Sequence, residues 1–208
     1  MTPPLTRAEK TRRTRHRMLA AAAGLFVERG WTGTTVEDIA RAAEVGVQTV
    51  YFTFGTKRAL LKEVLDTAIA GDTDSAATLD RPWARAVLAT PDPARQLARQ
   101  AAGARGVLHR ATPVLEVVRT AAASDPELAA LWRTSMEQRH TVQLHFARAL
   151  LVKTGGTLRD GHDAASAADI AFTVLGPETY GLLVAVRGWS PARWERWATD
   201  TLVRQLLP

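Results

Sequence analysis

The side chains whose types and spacing bear on function lie between Thr34 and Lys57, with Arg13 just upstream. Gln48 can pair with an adenine edge, and Thr49 and Phe52 can touch a thymine methyl. The hydroxyls of Thr34, Tyr51 and Thr53 can bond phosphates, which fixes register without reading sequence. Thr35 joins this candidate set and also suits a helix cap. Lys57 adds a charge at the start of a following helix, whose partly positive N-terminus favours a phosphate.

These residues need a stiff scaffold. Thr35 with Asp38 three residues on has capping-box spacing, and Val36, Ile39, Ala40 and Ala43 recur at helical period. Gly46 falls where the chain must turn, and glycine accepts the left-handed backbone that such turns often use. The spacing predicts a second short helix over about 47–52, with Val47, Val50 and either Tyr51 or Phe54 inward. Gln48, Thr49, Phe52 and Thr53 are then left outward. A longer helix over about 9–29, closed by Gly30, precedes the pair, and another over about 56–70 follows it. Two short helices about a tight turn, the second exposed, have the shape that enters a DNA major groove.

The charge distribution supports the same direction. The net charge is +6, and residues 1–17 carry +5 of it through Arg7, Lys10, Arg12, Arg13, Arg15 and Arg17 against Glu9. Charge gathered there suits a segment lying along a polyanion. Residues 1–8 are expected to be a disordered basic arm.

The segment from about Arg12 to Leu65 resembles the N-terminal domain of TetR-family transcriptional regulators. The resemblance is carried by Phe26-Val27-Glu28-Arg29-Gly30-Trp31, the Thr34–Ala40 run, the Gly46-Val47 turn, and Thr49-Val50-Tyr51-Phe52-Thr53-Phe54-Gly55-Thr56-Lys57. Members often have His where this chain has Thr53. The resemblance implies a helix-turn-helix DNA-binding domain over 9–55 and a helical effector-binding and dimerisation domain over 56–208. It also implies a cytoplasmic homodimer on a palindromic double-stranded operator, most often a repressor released by a small-molecule effector. The family's last two helices form the dimer interface.

Beyond Lys57 the pattern is helical throughout, with no strand alternation, giving an all-α chain of about nine or ten helices. Helices are expected over about 82–89, 93–110, 113–123, 126–152, 163–186 (bent at Gly176-Pro177) and 190–207. A two-fold interface is expected to use Ile170, Val174, Leu182, Val186, Trp194, Trp197, Ala198, Thr201 and Leu202. Effector candidates on the middle helices are His109, Glu116, Arg119, Trp132, Met136, Arg139, His140 and Tyr180.

Other function classes find less support. The chain has 208 residues, 46% hydrophobic and 23% charged, and no cysteine. Disulfides and thiolate chemistry are therefore excluded, which fits a reducing cytoplasm. His140 and His145 stand five apart, off the spacing of a helical metal pair. No hydrolase, metalloprotease or dinucleotide motif occurs, so neither an enzyme nor a metal or cofactor is expected. No apolar run approaches ~20 residues, so no membrane helix is expected, and Met1–Leu5 do not read as a signal peptide. The rival to DNA binding is a helical ligand-binding or scaffolding protein whose basic N-terminus serves RNA or an acidic partner.

Overall fold

A computed structural model describes residues 6–72 and 77–208. Among the described residues all regular structure is helical. The chain divides into two compact units, Met1–Ala68 with Pro113–Trp132, and Ile69–Thr112 with Arg133–Pro208.

The first unit begins with α1 (Arg7–Arg29), which Thr6 opens with a capping box. The Thr6 hydroxyl accepts the Glu9 amide, and the Glu9 carboxylate accepts the Thr6 amide at 2.7 Å. The arm expected over residues 1–8 is thus helical from Arg7, and residues 1–5 lie outside the described residues. Gly30, at φ 72°, closes α1 by donating to the Phe26 carbonyl. α2 (Val36–Ala42) and α3 (Val47–Phe54) follow, then α4 (Lys57–Ala70), whose start Thr56 caps through the Ala59 amide. α1 packs on α2 and α2 on α3. Their inner faces supply Met18, Leu19, Phe26, Val36, Ile39, Val50 and Phe54, with Leu60, Leu61, Val64 and Leu65 from α4, all buried. Each such large side chain contributes about 1.5–3 kcal/mol of burial free energy.

The second unit holds α5 (Pro82–Ala89), α8 (Ala164–Val174), α9 (Pro177–Tyr180), a π-helical turn over Gly181–Val186 and α10 (Pro191–Leu206). Two long helices are shared between the units: α6 (Pro93–Ala121) begins in the second, and α7 (Pro126–Lys153) begins in the first and continues into the second. The second unit's core gathers Leu97, Leu108, Leu150, Leu175, Tyr180, Trp194, Ala198 and Leu202. α6 and α7 are also tied by buried amides: Gln100 donates to Gln143 at 2.6 Å and Gln96 to the Phe146 carbonyl at 2.9 Å.

Two expectations change here. Pro113 does not start a new helix but lies inside the continuous α6. Having no N–H, it gives nothing to the His109 carbonyl, yet the buried Ala111, Val114, Leu115 and Val118 carry the helical face past it. Second, the stretch Ala164–Val186 is, by length and composition, apolar enough to cross a membrane. Its helix is interrupted, α8 ending at Val174 and α9 opening at Pro177, and Ala167, Ala168, Ala171 and Leu175 face the core.

Candidate nucleic-acid interface

α3 presents a bare outer face. Gln48, Thr49, Tyr51 and Phe52 are exposed, Phe52 to 94% and Tyr51 to 41%, while Val50 and Phe54 anchor the inner side. Tyr51 is therefore an outward residue, and Phe54 is the inward aromatic. Phe52 and the neighbouring Tyr51 leave aromatic surface uncovered on this face. Thr53 is half-buried, its hydroxyl donating to the Thr49 carbonyl at 2.7 Å.

The turn that sets α3 is built differently from the expectation. Gly46 lies in extended backbone, φ −70° and ψ 146°, as the N-cap of α3. The left-handed residue is Glu44, at φ 54°, and its carboxylate meets Arg17 of α1 at 3.4 Å. The α2 side is fixed by Thr35, whose hydroxyl accepts the Asp38 amide and donates to its carboxylate. These bonds hold the Asp38 carboxyl below its ordinary pKa, the Thr35 hydroxyl contributing most.

Thr34 is not at the surface. It is fully buried, and its hydroxyl faces the carbonyls of Leu25 and Gly30 at 3.0 and 2.9 Å. It fastens the end of α1 to the start of α2, and no phosphate can reach it there. Lys57 is half-buried, with its ammonium over the Trp31 ring at 4.0 Å and donating to the Trp31 carbonyl. Burial lowers its pKa. In this arrangement Lys57 braces the loop after α1 rather than standing free at the N-terminus of α4.

Of the basic segment, Arg7, Lys10, Arg12 and Arg13 are exposed. Arg15 has another role that its position in a charge run concealed. It pairs with Glu63 of α4 at 2.5 Å, lies over the Phe54 ring at 4.8 Å and reaches the Thr53 carbonyl at 3.5 Å. It clamps α1 to the end of α3. Arg58 does the same for α4, bonding Asp125 at 2.8 Å while Asp125 also accepts the Glu127 and Leu128 amides. Burial pushes the Asp125 carboxyl up, but Arg58 and those amides outweigh it and the net shift is downward.

Residues 18–64 match the profile of bacterial regulatory proteins of the tetR family. They form a tetR-family domain. The likeness in fold extends over the chain. NalD, the secondary repressor of the MexAB-OprM multidrug efflux pump in Pseudomonas aeruginosa, matches at 21% identity, with TM-score 0.71, over 96% of this chain and 98% of its own. PfmR, a TetR family transcriptional regulator from Thermus thermophilus, matches at 25% identity and TM-score 0.64 over 92% and 100%. A protein described as a transcriptional regulator from Saccharomonospora viridis, in complex with choline, matches at 20% identity and TM-score 0.71 over 93% and 97%. No curated protein matches the chain.

Outside the TetR-family domain, the interface candidates fall into two groups. Trp194, Ala198 and Leu202 are fully buried in their own unit's core, so no second copy can reach them. Leu182 and Val186 are exposed to 57% and 71%, and Ile170, Val174, Trp197 and Thr201 are half-buried.

The effector candidates also separate. Glu116 and Arg119 are exposed and paired with each other at 2.5 Å. They and Trp132 belong to the first unit. His109, Met136, Arg139, His140 and Tyr180 belong to the second. There His109 meets the Tyr180 hydroxyl at 3.3 Å, and Tyr180 packs edge-on against Trp194. Arg139 lies over Phe172 at 4.0 Å, and His140 bonds Asp169 at 2.9 Å. Met136 is half-buried.

Proposed function

We propose that this chain is a homodimeric, cytoplasmic transcriptional regulator, a repressor that binds a palindromic operator and leaves it when a small molecule binds the second unit. It is not an enzyme and needs no cofactor. The observation that carries this is the open face of α3 (Gln48, Thr49, Tyr51, Phe52) on a tetR-family domain beside the exposed Arg7, Lys10, Arg12 and Arg13. One short helix reads few base pairs, so a two-fold dimer is the usual remedy. The exposed Leu182 and Val186 offer it an apolar face. The repressor role is supported by likeness to NalD, and the small-molecule effector by likeness to the choline-bound relative.

In this mechanism α4 is the lever. A ligand that prefers the conformer with misplaced α3 helices shifts the population, and the operator opposes the ligand by the same coupling free energy.

The test is a mobility shift with duplex DNA, single-stranded DNA and RNA across a salt series. Duplex preference with affinity falling log-linearly in salt supports DNA binding. Equal binding of all three polymers would favour the rival, a helical scaffold with a basic RNA- or acid-binding end.

A further inference from the structure

Three buried side-chain polar atoms among the described residues have no hydrogen-bond partner: Thr112 Oγ1, Arg139 Nε and Trp194 Nε1. All three belong to the second unit, and all border the short run from Pro177 into the π-helical turn. Trp194 packs edge-on against Tyr180 at 5.0 Å. Thr112 lies beside Gly181, where a Cβ would sit 3.5 Å from its methyl. Arg139 reaches Glu178.

The chemistry of these atoms is one-sided. Arg139 Nε and Trp194 Nε1 only donate, and a threonine hydroxyl can donate. What is wanted is acceptor oxygens. Arg139 adds a charge with little compensation. Its side chain is 18% exposed, and Glu178 meets it through a single 3.5 Å contact from a carboxylate that is itself half exposed. Burial draws the Arg139 guanidinium below its ordinary pKa despite the pull of Glu178.

Glu178 is held by little else. Its side chain folds back over Gly176, where a Cβ would come within 2.8 Å of Oε2. The turn that follows is wound wider than an α-helix, with the Arg187 amide donating five residues back to Leu182. Such π-turns recur at functional sites. Phe172, under the Arg139 guanidinium at 4.0 Å, supplies apolar surface beside the charge.

We propose that Arg139 takes the carboxylate of a small organic acid with an apolar body, and that Glu178 holds the place this carboxylate fills. This rests on the small-molecule effector of the proposed function and names its chemical class. Thr112 sits on the α6 face that meets the same run and gives the acid a second donor.

The experiment is calorimetry and thermal shift on the full chain with sodium benzoate and sodium hexanoate. Benzamide, hexanamide and inorganic phosphate at matched ionic strength are the comparisons. The two carboxylates should bind and raise the melting temperature, and the amides and phosphate should not. Glu178→Gln removes the competing carboxylate and should tighten carboxylate binding about 2–5-fold, the worth of an exposed ion pair. Arg139→Gln should weaken it at least about tenfold, with far-UV circular dichroism checking its fold. Amides or phosphate binding as well as carboxylates would overturn the assignment. So would no binding of either carboxylate, or a Glu178→Gln chain that binds them no tighter. A release assay on the operator separates the two proposals. Carboxylates that bind without freeing DNA uphold the site and overturn ligand-controlled release. DNA freed only by neutral or cationic compounds overturns the acid and keeps the release.

Discussion

Thr34 and Gln48 sit fourteen positions apart in one motif and face opposite ways, one into the domain and one to water. Thr34 has one hydroxyl proton, facing two carbonyls inside the domain. Thr34→Val should therefore destabilise by about 1–3 kcal/mol, the cost of buried acceptors losing a donor. Denaturant unfolding measures that, and the salt slope of DNA binding by the folded variant should not change. Gln48 faces water. Gln48→Ala should leave the folding stability within about half a kcal/mol of wild type and relax preference at one base pair, at about 1–3 kcal/mol. Binding to a panel of single-base operator variants checks it, and unchanged discrimination would remove Gln48 from base reading. The sequence showed that this stretch is rich in hydrogen-bonding side chains. It could not show which way Thr34 faces, because that depends on where the end of α1 crosses the start of α2. The left-handed position was misassigned to Gly46 for a related reason. Composition points to glycine, yet the backbone puts the strain on Glu44, which Arg17 holds.

At the scale of elements, local signals predicted most helix ends, since caps depend on neighbours in sequence. Thr35 with Asp38, Pro82, Pro126 and Ser190 with Pro191 all mark helix starts where the chain has them. Pro113 failed as a start because packing on both sides of it outweighs the loss of one backbone bond. The caps also set a pH dependence. Glu9 is held below its ordinary pKa chiefly by the Thr6 amide, Asp38 by the Thr35 hydroxyl and Asp163 by the Ser166 amide. A carboxyl whose folded pKa is depressed contributes stability above its unfolded pKa and loses it as pH falls through the folded one. The urea midpoint should thus be level from neutrality to about pH 5 and fall below about pH 4. Asp38→Asn should make that fall shallower, and an equal slope would remove Asp38 from the acid-sensitive set.

For the molecule as a whole, the residue pattern marks an amphipathic last helix without telling its own core from a second copy. Trp194, Ala198 and Leu202 proved to be core, and Leu182 and Val186 remain open. Two substitutions separate these roles. Trp194→Ala should cost about 3–5 kcal/mol of stability. Val186→Asp should leave helicity and melting temperature nearly unchanged while sedimentation reports a monomer with weak DNA binding. A Val186→Asp chain that still sediments as a dimer would move the interface elsewhere. The proposed acid site was the least legible part, because its signal lies in buried atoms of Thr112, Arg139 and Trp194 that lack hydrogen-bond partners, and residue type does not foretell that. Of these only Arg139 stood out by residue type.

The central claim, that the outer face of α3 reads duplex DNA as one half of a two-fold pair, is tested most directly by selecting binding sites from a random duplex pool. The account predicts an enriched palindrome whose half-sites lie about one helical turn (~34 Å) apart or a multiple of it, with the preferred base in each half lost in Gln48→Ala. A pool that yields no enriched duplex, or an identical consensus for wild type and Gln48→Ala, would contradict it.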